Sequence, residues 1–246
     1  MTANTIIQVP ILPFGMVNCH IIKGDSGCVL VDAGTPGSEG RIEKALREQG
    51  LSFGDIRLIV ITHAHMDHAG SAAALRRATG APIVAHEGDL PHYRREARMT
   101  FCPTGWAGRY LLRRGIILRP YEGFQPDMLL RSGETLDLRP YGVEGRVLPT
   151  LGHTAGSVSI ELASREALVG DLVSSGVLMG GLIRTGRAIR PPFEEAPRTV
   201  GEALQRLLDS GVTRFYLGHG DPLGAEEVQR HAQALMRLGT LQSALA

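Results

Sequence analysis

The chain has 246 residues, of which 43% are apolar, and its formal net charge is +1. This length suits one large domain or two small halves that share a core, and we expect a single domain over 1–246. The small net charge argues against a dedicated nucleic-acid-binding or membrane-surface protein, and no apolar run approaches the roughly 20 residues that span a bilayer.

The spacing of the cysteines and the sequence of the first residues indicate the cellular compartment. Cys19, Cys28 and Cys102 show no paired spacing, which is typical of a reducing environment rather than of a disulfide framework. Residues 1–15 lack the basic start and the apolar stretch of a signal peptide. We therefore expect a cytoplasmic protein whose thiols are buried packing residues.

The first half of the chain alternates strand and helix signals. β-branched runs bounded by glycine or aspartate predict strands, and apolar residues at a spacing of three and four predict helices. The strand runs are VNCHIIKG, GCVLVDAG, RLIVIT and APIVAH. Helices are predicted at 36–50, where Ser38 could cap the first turn, and at 69–80. A mostly helical insertion, rich in arginine, is predicted around 87–120.

The second half repeats the pattern without a detectable sequence repeat. Strands are predicted within MLLRSGETLDL, VEGRVLPT, SVSIEL, EALVGD and RFYLGHG. A helix with Val200, Ala203, Leu204 and Leu207 on one face precedes the last of these strands, and a final helix is predicted at about 224–238. Both halves thus predict an α/β fold in which two sheets pack face to face with helices outside.

A dense polar cluster follows the apolar strand RLIVIT. His63 and His65 are two residues apart, so that a strand end would send both imidazoles to one side. Asp67 and His68 begin the next helix and can point back across the turn. This loop offers four ligands to a small volume, enough to begin a site for two metal ions about 3.5–4 Å apart.

Three later positions share the character of this cluster. His153, Asp171 and His219 each follow a predicted strand and lie beside a glycine, which lets the backbone approach closely. A single histidine at a strand end is usually an ordinary hydrogen-bonded residue. Three such positions after the first cluster are hard to attribute to chance.

The complete set resembles the metal-ligand set of the metallo-β-lactamase-fold superfamily, and the early VLVDAG segment resembles the Asp-Gly strand end of that family. The resemblance implies a four-layer αββα sandwich with the metals at one edge between the sheets. It assigns His63, His65 and His153 to one metal, Asp67, His68 and His219 to the other, and Asp171 to a bridging position. Imidazole and carboxylate ligands suit two zinc ions per chain, while iron and manganese stay open.

The resemblance predicts a hydrolase. Two adjacent cations would lower the pKa of a water from 15.7 to around 7, and the hydroxide would attack an ester, lactone or thioester carbonyl of a small molecule. Asp67 is the candidate catalytic residue that holds the hydroxide and passes a proton to the leaving group. Asp32 could orient a ligand imidazole or merely cap a turn, and these two roles are equally supported.

The substrate class is less constrained than the metal site. Enzymes of this fold that hydrolyse β-lactams usually lack the bridging aspartate, which favours the lactonase and glyoxalase-II-like branch. However, Ser174 stands where acyl-homoserine lactonases commonly have tyrosine, and only about 27 residues follow His219. A β-lactam-hydrolysing enzyme, a mononuclear iron sulfur dioxygenase, a phosphodiesterase and a non-catalytic metal-binding module therefore stay open as competing hypotheses.

Two segments are expected to shape the pocket, 87–120 and 176–193. Their apolar residues could cover the site or form a homodimer contact. Arginines 94, 95 and 98 are expected to lie mainly on a solvated face, and any that face inward would favour a carboxylated or phosphorylated substrate. The remaining histidines, His20, His86, His92 and His231, are not predicted ligands. His231 lies among Gln and Arg and is expected at the surface.

Overall fold

The computed structural model describes residues 4–177 and 183–244. Within them, six strands form a first sheet whose first two neighbouring pairs are antiparallel and whose remaining pairs are parallel. In spatial order these are β1 (Thr5–Leu12), β2 (Val17–Gly24), β3 (Gly27–Val31), β4 (Ile56–Val60), β5 (Ile83–His86) and β6 (Met128–Leu130).

The described part of the second half forms another six-stranded sheet and a separate ribbon. The strands of this sheet, in chain order, are β7 (Leu136–Asp137), β8 (Gly145–Pro149), β9 (Val158–Leu162), β10 (Glu166–Leu168), β13 (Arg214–Tyr216) and β14 (Leu223–Gly224). Their spatial order is β14-β13-β10-β9-β8-β7, with β10 and β13 parallel. The ribbon pairs β11 (Ser174–Val177) with β12 (Ile183–Ile189).

Seven α-helices connect and cover the sheets in the described ranges. They are α1 (Glu39–Glu48), α2 (Met66–Ala69), α3 (Ala72–Thr79), α4 (Leu90–Tyr93), α5 (Trp106–Arg114), α6 (Pro197–Asp209) and α7 (Ala225–Ala244). None of the helices in this part of the chain is long and apolar enough to cross a bilayer.

The layers follow from the alternation of side chains along each strand. Leu58 and Val60 of β4 pack into the core between the two sheets, whereas Ile59 faces the core that α1 and α3 cover. In the second sheet, Leu168 of β10 belongs to the central core and Ala167 to the core beneath α6 and α7. The order of layers is therefore helix, sheet, sheet, helix, and the predicted four-layer αββα fold is confirmed.

The predicted insertion around 87–120 contains less helix than expected. Its α-helices are confined to α4 and α5, and short 3₁₀ turns occupy Glu87–Asp89 and Ile116–Leu118. The backbone of 94–105 is irregular, and Arg95 has a φ of 61°. The other predicted pocket segment, 176–193, includes 178–182, which lie outside the described residues.

Two expectations about individual side chains were wrong. His231 is only 5% exposed, since α7 turns it inward with Val228 and Leu235, which belong to the core under α6. Cys102 is exposed, whereas Cys19 and Cys28 are buried as predicted.

Candidate metal centre

Loops and the short helix α2 at one edge of the two sheets carry all of the predicted ligands. His63, His65, Asp67 and His68 follow β4, while His153, Asp171 and His219 come after β8, β10 and β13. The edges are held together by backbone hydrogen bonds, among them Val158 N–H to Thr62 O at 2.9 Å and Asn18 N–H to Gly218 O at 2.8 Å. Residues that are far apart in the sequence are thereby brought to one place.

Three histidines form the first group of candidate ligands. Nε2 of His63 lies 3.0 Å from Nδ1 of His65, and Nε2 of His153 lies 3.2 Å from each of these atoms. All three rings are buried. The ring of His65 also stacks on Phe101, with 5.0 Å between the centroids, so an aromatic residue of the insertion fixes the orientation of one ligand.

The second group consists of Asp67, His68 and His219. Oδ2 of Asp67 lies 3.6 Å from Nε2 of His219 and 3.9 Å from Nε2 of His68. The side chain of Asp67 is 20% exposed, and it is the most open of the candidate ligands in these ion pairs. A carboxylate that faces the pocket can exchange protons with a bound molecule.

Asp171 lies between the two groups. Its Oδ2 is 2.9 Å from Nε2 of His219, 3.7 Å from Nε2 of His153 and 4.0 Å from Nε2 of His63. Its Oδ1 is 3.3 Å from Nε2 of His68. Asp171 is therefore the residue that contacts both groups, which is the position that the resemblance assigned to it.

Burial and charge divide the histidines into two electrostatic classes. Burial lowers the pKa of His63 and His153 well below the usual value and lowers that of His65 to about 4, so these rings are neutral near pH 7. Burial also disfavours the charged form of His68 and His219, but the carboxylates around them, Asp171 above all, outweigh it and raise the pKa of both. Without a bound cation, the surrounding carboxylates thus favour the protonated forms of His68 and His219.

The outer nitrogens of three of the five rings, those of His63, His68 and His219, have partners that fix their orientation. Nδ1 of His68 lies 2.8 Å from Oδ2 of Asp32. Nδ1 of His63 lies 3.0 Å from Oγ1 of Thr62, whose hydroxyl donates to the same Asp32 oxygen at 2.9 Å. Nδ1 of His219 contacts the carbonyl of Met16. Each of these contacts suits an N–H on the outer side, so that the inner nitrogen can offer its lone pair to a metal once a cation displaces any proton there.

The geometry of the donor set fits divalent ions. Tetrahedral zinc with Zn–N bonds of 2.0–2.1 Å requires nitrogens about 3.3 Å apart, close to the separations in the first group. Nε2 of His68 and Oδ1 of Asp171 are buried and lie 3.3 Å apart, yet neither makes a hydrogen bond in the described part of the chain. Buried polar atoms without partners are costly, and a cation between them removes this cost.

An acidic residue that the sequence analysis missed links two ligand loops. Oδ2 of Asp89 accepts hydrogen bonds from the backbone N–H of Ala64 and from the hydroxyl of Thr154, both at 2.9 Å. Ala64 lies between His63 and His65, and Thr154 follows His153. Asp89 comes shortly after β5 at the same sheet edge, so the strand-end criterion that found the other residues would have found it.

The remaining histidines lie outside both ligand groups. Nδ1 of His86 accepts a hydrogen bond from the N–H of Gly88, and His20 packs edge-on against Tyr216.

A pocket opens over the metal ligands, and Phe101, Leu111, Ile117, Pro192 and Phe193 line it. Both segments that were expected to shape the pocket thus contribute to its walls.

Comparison with known proteins places the chain in a family. The family model described as the metallo-beta-lactamase superfamily matches residues 12–219. The probable metallo-hydrolase YqgX of Bacillus subtilis is 28% identical over 183 residues, covering 72% of this chain and 74% of that protein. The hydroxyacylglutathione hydrolase of Cupriavidus metallidurans is 29% identical over 193 residues, covering 75% of this chain and 56% of that protein.

Solved structures show the same fold. The metallo-beta-lactamase family protein TTHA1429 of Thermus thermophilus superposes with a TM-score of 0.66 and 25% identity, over 96% of this chain and 79% of that one. The class B3 di-zinc metallo-beta-lactamase LRA-12 from an Alaskan soil metagenome has a TM-score of 0.60 at 17% identity, over 96% and 89% of the two chains. On the fold and on the match to most of its length, the chain belongs to the metallo-beta-lactamase superfamily.

Proposed function

We propose that the chain is a metal-dependent hydrolase that holds two divalent ions, zinc in the first instance, and cleaves an ester, lactone or thioester of a small molecule. The observation that carries the proposal is the pair of ligand groups joined by Asp171. The similarity to a probable metallo-hydrolase and to a hydroxyacylglutathione hydrolase supports hydrolysis and includes a thioester among the candidate substrates.

The residues of the site suit water-dependent chemistry. Divalent ions bound there would lower the pKa of a water and polarise the carbonyl under attack. Asp67 faces the pocket, where its carboxylate can accept a proton from the attacking water and return it to the leaving atom. The apolar side chains of Phe101, Leu111 and Phe193 border the pocket and limit access of bulk water.

Two features support a carbonyl substrate and a two-metal centre. Asp171 contacts both ligand groups, whereas the resemblance implies that β-lactam-hydrolysing members usually lack this residue. The complete second group, Asp67, His68 and His219, favours two ions over the single iron of a sulfur dioxygenase. The likeness to the di-zinc β-lactamase carries no argument about substrate, because at 17% identity it concerns the fold.

Metal analysis tests the centre itself. We expect protein purified without added metal, or reconstituted with zinc, to bind about two ions per chain by mass spectrometry of the metals. Asp171→Asn should lower this number because it weakens the contact to both groups. A reproducible content near zero in the wild-type protein would contradict the proposal, and a single iron with oxygen uptake on a persulfide would support the dioxygenase instead.

A substrate panel tests the reaction. Lactones, thioesters, simple esters, β-lactams and phosphodiesters are offered at equal concentration to the metal-loaded protein. We expect turnover of a carbonyl substrate without a β-lactam ring. Preferential cleavage of β-lactams or phosphodiesters would overturn the substrate class while leaving the metal centre intact.

The role of Asp67 is tested by Asp67→Asn. General acid–base catalysis contributes typically 10²–10⁴-fold, and we expect kcat to fall within this range in samples that retain their metal. Metal content must be measured in the same samples, because Asp67 is also a candidate ligand. Full activity in a fully loaded variant would remove Asp67 from the mechanism.

A further inference from the structure

A second cavity adjoins the pocket over the metal ligands. Its volume is about 420 Å³, and Met66, Phe101 and Ile117 line both spaces. Met66 lies directly before the candidate catalytic residue Asp67. A molecule whose reacting bond lies at the metal centre can therefore extend into this second cavity, which we call the cationic cleft.

The charged residues that line the cationic cleft are all positive. Arg95, Arg98 and Arg119 line it, and none of its lining residues is acidic. Over the described residues, no carboxylate lies within ion-pair distance of these three guanidinium groups. Other arginines near this surface are paired, since Arg76 contacts Asp127 and Arg77 contacts Glu122. The cleft thus concentrates positive charge that the protein does not neutralise.

The wall of the cationic cleft is tied to the metal loop. The guanidinium of Arg95 lies over the ring of Tyr121, 5.0 Å from its centroid. The hydroxyl of Tyr121 donates to the carbonyl of Ala64 at 3.0 Å, between His63 and His65. Arg95 also has a φ of 61°, a backbone conformation that is strained for a residue with a side chain and that clusters at functional sites.

Another groove that adjoins the metal pocket is mainly apolar, and the arginine that lines it, Arg190, is paired with Glu194. Leu111 and Pro192 line both the metal pocket and this groove, which continues along Trp106, Tyr110 and Ile189. Trp106 is 71% exposed. An apolar acyl group suits this side of the pocket, which leaves the cationic cleft for the other half of a substrate.

We propose that the cationic cleft binds a carboxylate or phosphate carried by the leaving group of the substrate, so that the preferred substrates are acyl esters or thioesters of an anionic alcohol or thiol. This inference rests on the proposed hydrolysis. Arginine recognises both anions through paired, charge-assisted hydrogen bonds, and such bonds are stronger than neutral ones. Arg98 and Arg119 contact the anion, and Arg95 packs on Tyr121 and stabilises the wall of the cleft.

The test compares thioesters that share one acyl group. The leaving thiol is coenzyme A, which carries phosphates, glutathione, which carries carboxylates, or N-acetylcysteamine, which is neutral. We expect Arg98→Gln and Arg119→Gln each to raise KM about tenfold for the anionic thioester that the wild type prefers, because a hydrogen bond to a charged group contributes about that factor. The KM for the neutral thioester and kcat should stay near the wild-type values.

Arg113→Gln is the matched control, since Arg113 is an exposed arginine of the same insertion that does not line the cleft. It should leave all three KM values unchanged. An equal change for anionic and neutral thioesters, or no change in Arg98→Gln and Arg119→Gln, would overturn the proposal. A preference for the coenzyme A or for the glutathione thioester identifies phosphate or carboxylate as the anion.

A binding measurement separates this inference from the proposed hydrolysis. Titration calorimetry of the metal-loaded protein with inorganic phosphate, oxidised glutathione and desulfo-coenzyme A, which has no thiol, needs no turnover. We expect at least one anion to bind and its affinity to fall about tenfold in Arg98→Gln and Arg119→Gln but not in Arg113→Gln. Binding without turnover would refute the hydrolysis and keep an anion site, whereas turnover without arginine-dependent binding would refute the cleft.

Discussion

Asp32 organises the candidate metal centre without belonging to either ligand group. Its carboxylate, which is buried, accepts hydrogen bonds from the backbone N–H of Thr62 at 2.8 Å and from the Thr62 hydroxyl, and it contacts Nδ1 of His68. Its φ of 64° lies in the left-handed region, where Asp and Asn are tolerated better than most residues. One carboxylate therefore orients His68 directly and His63 through Thr62, which is the orienting role that the sequence left as one of two possibilities.

We predict that Asp32→Asn lowers metal affinity. Asparagine keeps the size and the backbone conformation, but its amide nitrogen would face the N–H of His68 or of Thr62, and two donors cannot pair. Loss of such a partner typically costs 10–100-fold in metal affinity, and we expect a loss in this range in a competition titration with a chromogenic chelator. Asp209→Asn, an exposed change at the end of α6, is the control. Unchanged affinity in Asp32→Asn would show that Asp32 only shapes the turn.

His231 shows why neighbours in the sequence mislead at the residue scale. Its immediate neighbours suggested the surface, but the helical period places it with Val228 and Leu235, three residues before it and four after it. Burial, together with the nearby cations of Arg230 and Arg190 and against the attraction of Glu227, lowers the pKa of His231 to about 4. The folded protein therefore keeps this ring neutral in a range where the unfolded chain protonates it.

We predict that His231 makes the fold sensitive to acid. Because the folded pKa is lower than the unfolded value of about 6.5, the unfolded state binds more protons between about pH 6.5 and about pH 4, and stability is lost as pH falls through this window. The contribution of His231 at about pH 5 is on the order of 2 kcal/mol. Urea unfolding at about pH 7 and about pH 5 should show a smaller loss for His231→Gln than for the wild type.

The half-buried His92, which precedes the irregular stretch of the insertion, provides the control for this comparison. His92→Gln should lose as much stability on acidification as the wild type does. The same pH dependence in wild type and His231→Gln would contradict the assignment to His231. Metal release at low pH affects all three proteins alike and cancels in the differences.

At the scale of elements, the turn after β13 brings backbone very close to the ligands. A Cβ on Gly218 would lie 2.3 Å from Oδ1 of Asp171 and 2.5 Å from Cε1 of His68, well inside van der Waals contact. Glycine is therefore required at this position because side chains of two ligands occupy the space that any other residue would need. The sequence showed a glycine beside the candidate ligand His219, but it did not show that glycine is required at this position.

We predict that Gly218→Ala damages the centre although it removes no ligand. A displacement of ligands by about 1 Å can cost 10²-fold in activity, and we expect a loss of this order in kcat/KM together with a lower metal content. Gly224→Ala is the matched control, since nothing lies within 4 Å of a Cβ at Gly224. Activity and metal content equal to those of the control would show that the turn can relax at little cost.

The elements differ in how far the sequence determined them. The core strands could be predicted because their apolar residues alternate between two buried faces, as Ile59 and Val60 do. The insertion could not, because its shape depends on distant contacts. Tyr93 packs against Phe124 with 5.2 Å between the ring centroids, and the N–H of Phe124 donates to the carbonyl of Tyr93 at 2.9 Å. These contacts end α4 at Tyr93, and no local signal marks that position.

At the scale of the whole molecule, the candidate site depends on the packing of two sheets. Four of its residues come from the loop after β4, and the other three come from the second sheet. Local patterns identified each residue, but only the resemblance to a family placed them together, because the strand order β14-β13-β10-β9-β8-β7 does not follow the chain. The predicted single domain, the homodimer contact and the cytoplasmic location stay predictions.

This division of the ligands predicts a link between metal and global stability. Ions bound to ligands from both sheets stabilise only the folded state, because an unfolded chain cannot bring His63, His153 and His219 together. Ligand binding at 100 times its dissociation constant stabilises by about 2.7 kcal/mol, and each kcal/mol shifts the unfolding temperature of a chain of this size by about 2–4 °C. Removal of metal with a chelator should therefore lower the unfolding temperature by about 5–10 °C, and zinc should restore it.

The wild-type protein is compared with Asp171→Asn in this experiment. Asp171 contacts His153 and His219 of the second sheet as well as His63 and His68 of the first. Calorimetry of the variant should show a smaller zinc-dependent rise than the wild type, with each rise measured from that protein's own metal-free state. The metal-free variant should itself be less stable, because Asp171 lies beside His68 and His219 in the buried site. An equal rise in both would mean that metal binding does not depend on the residue that joins the two groups. No rise in the wild type would mean that the ligands of the two sheets do not hold a common metal centre.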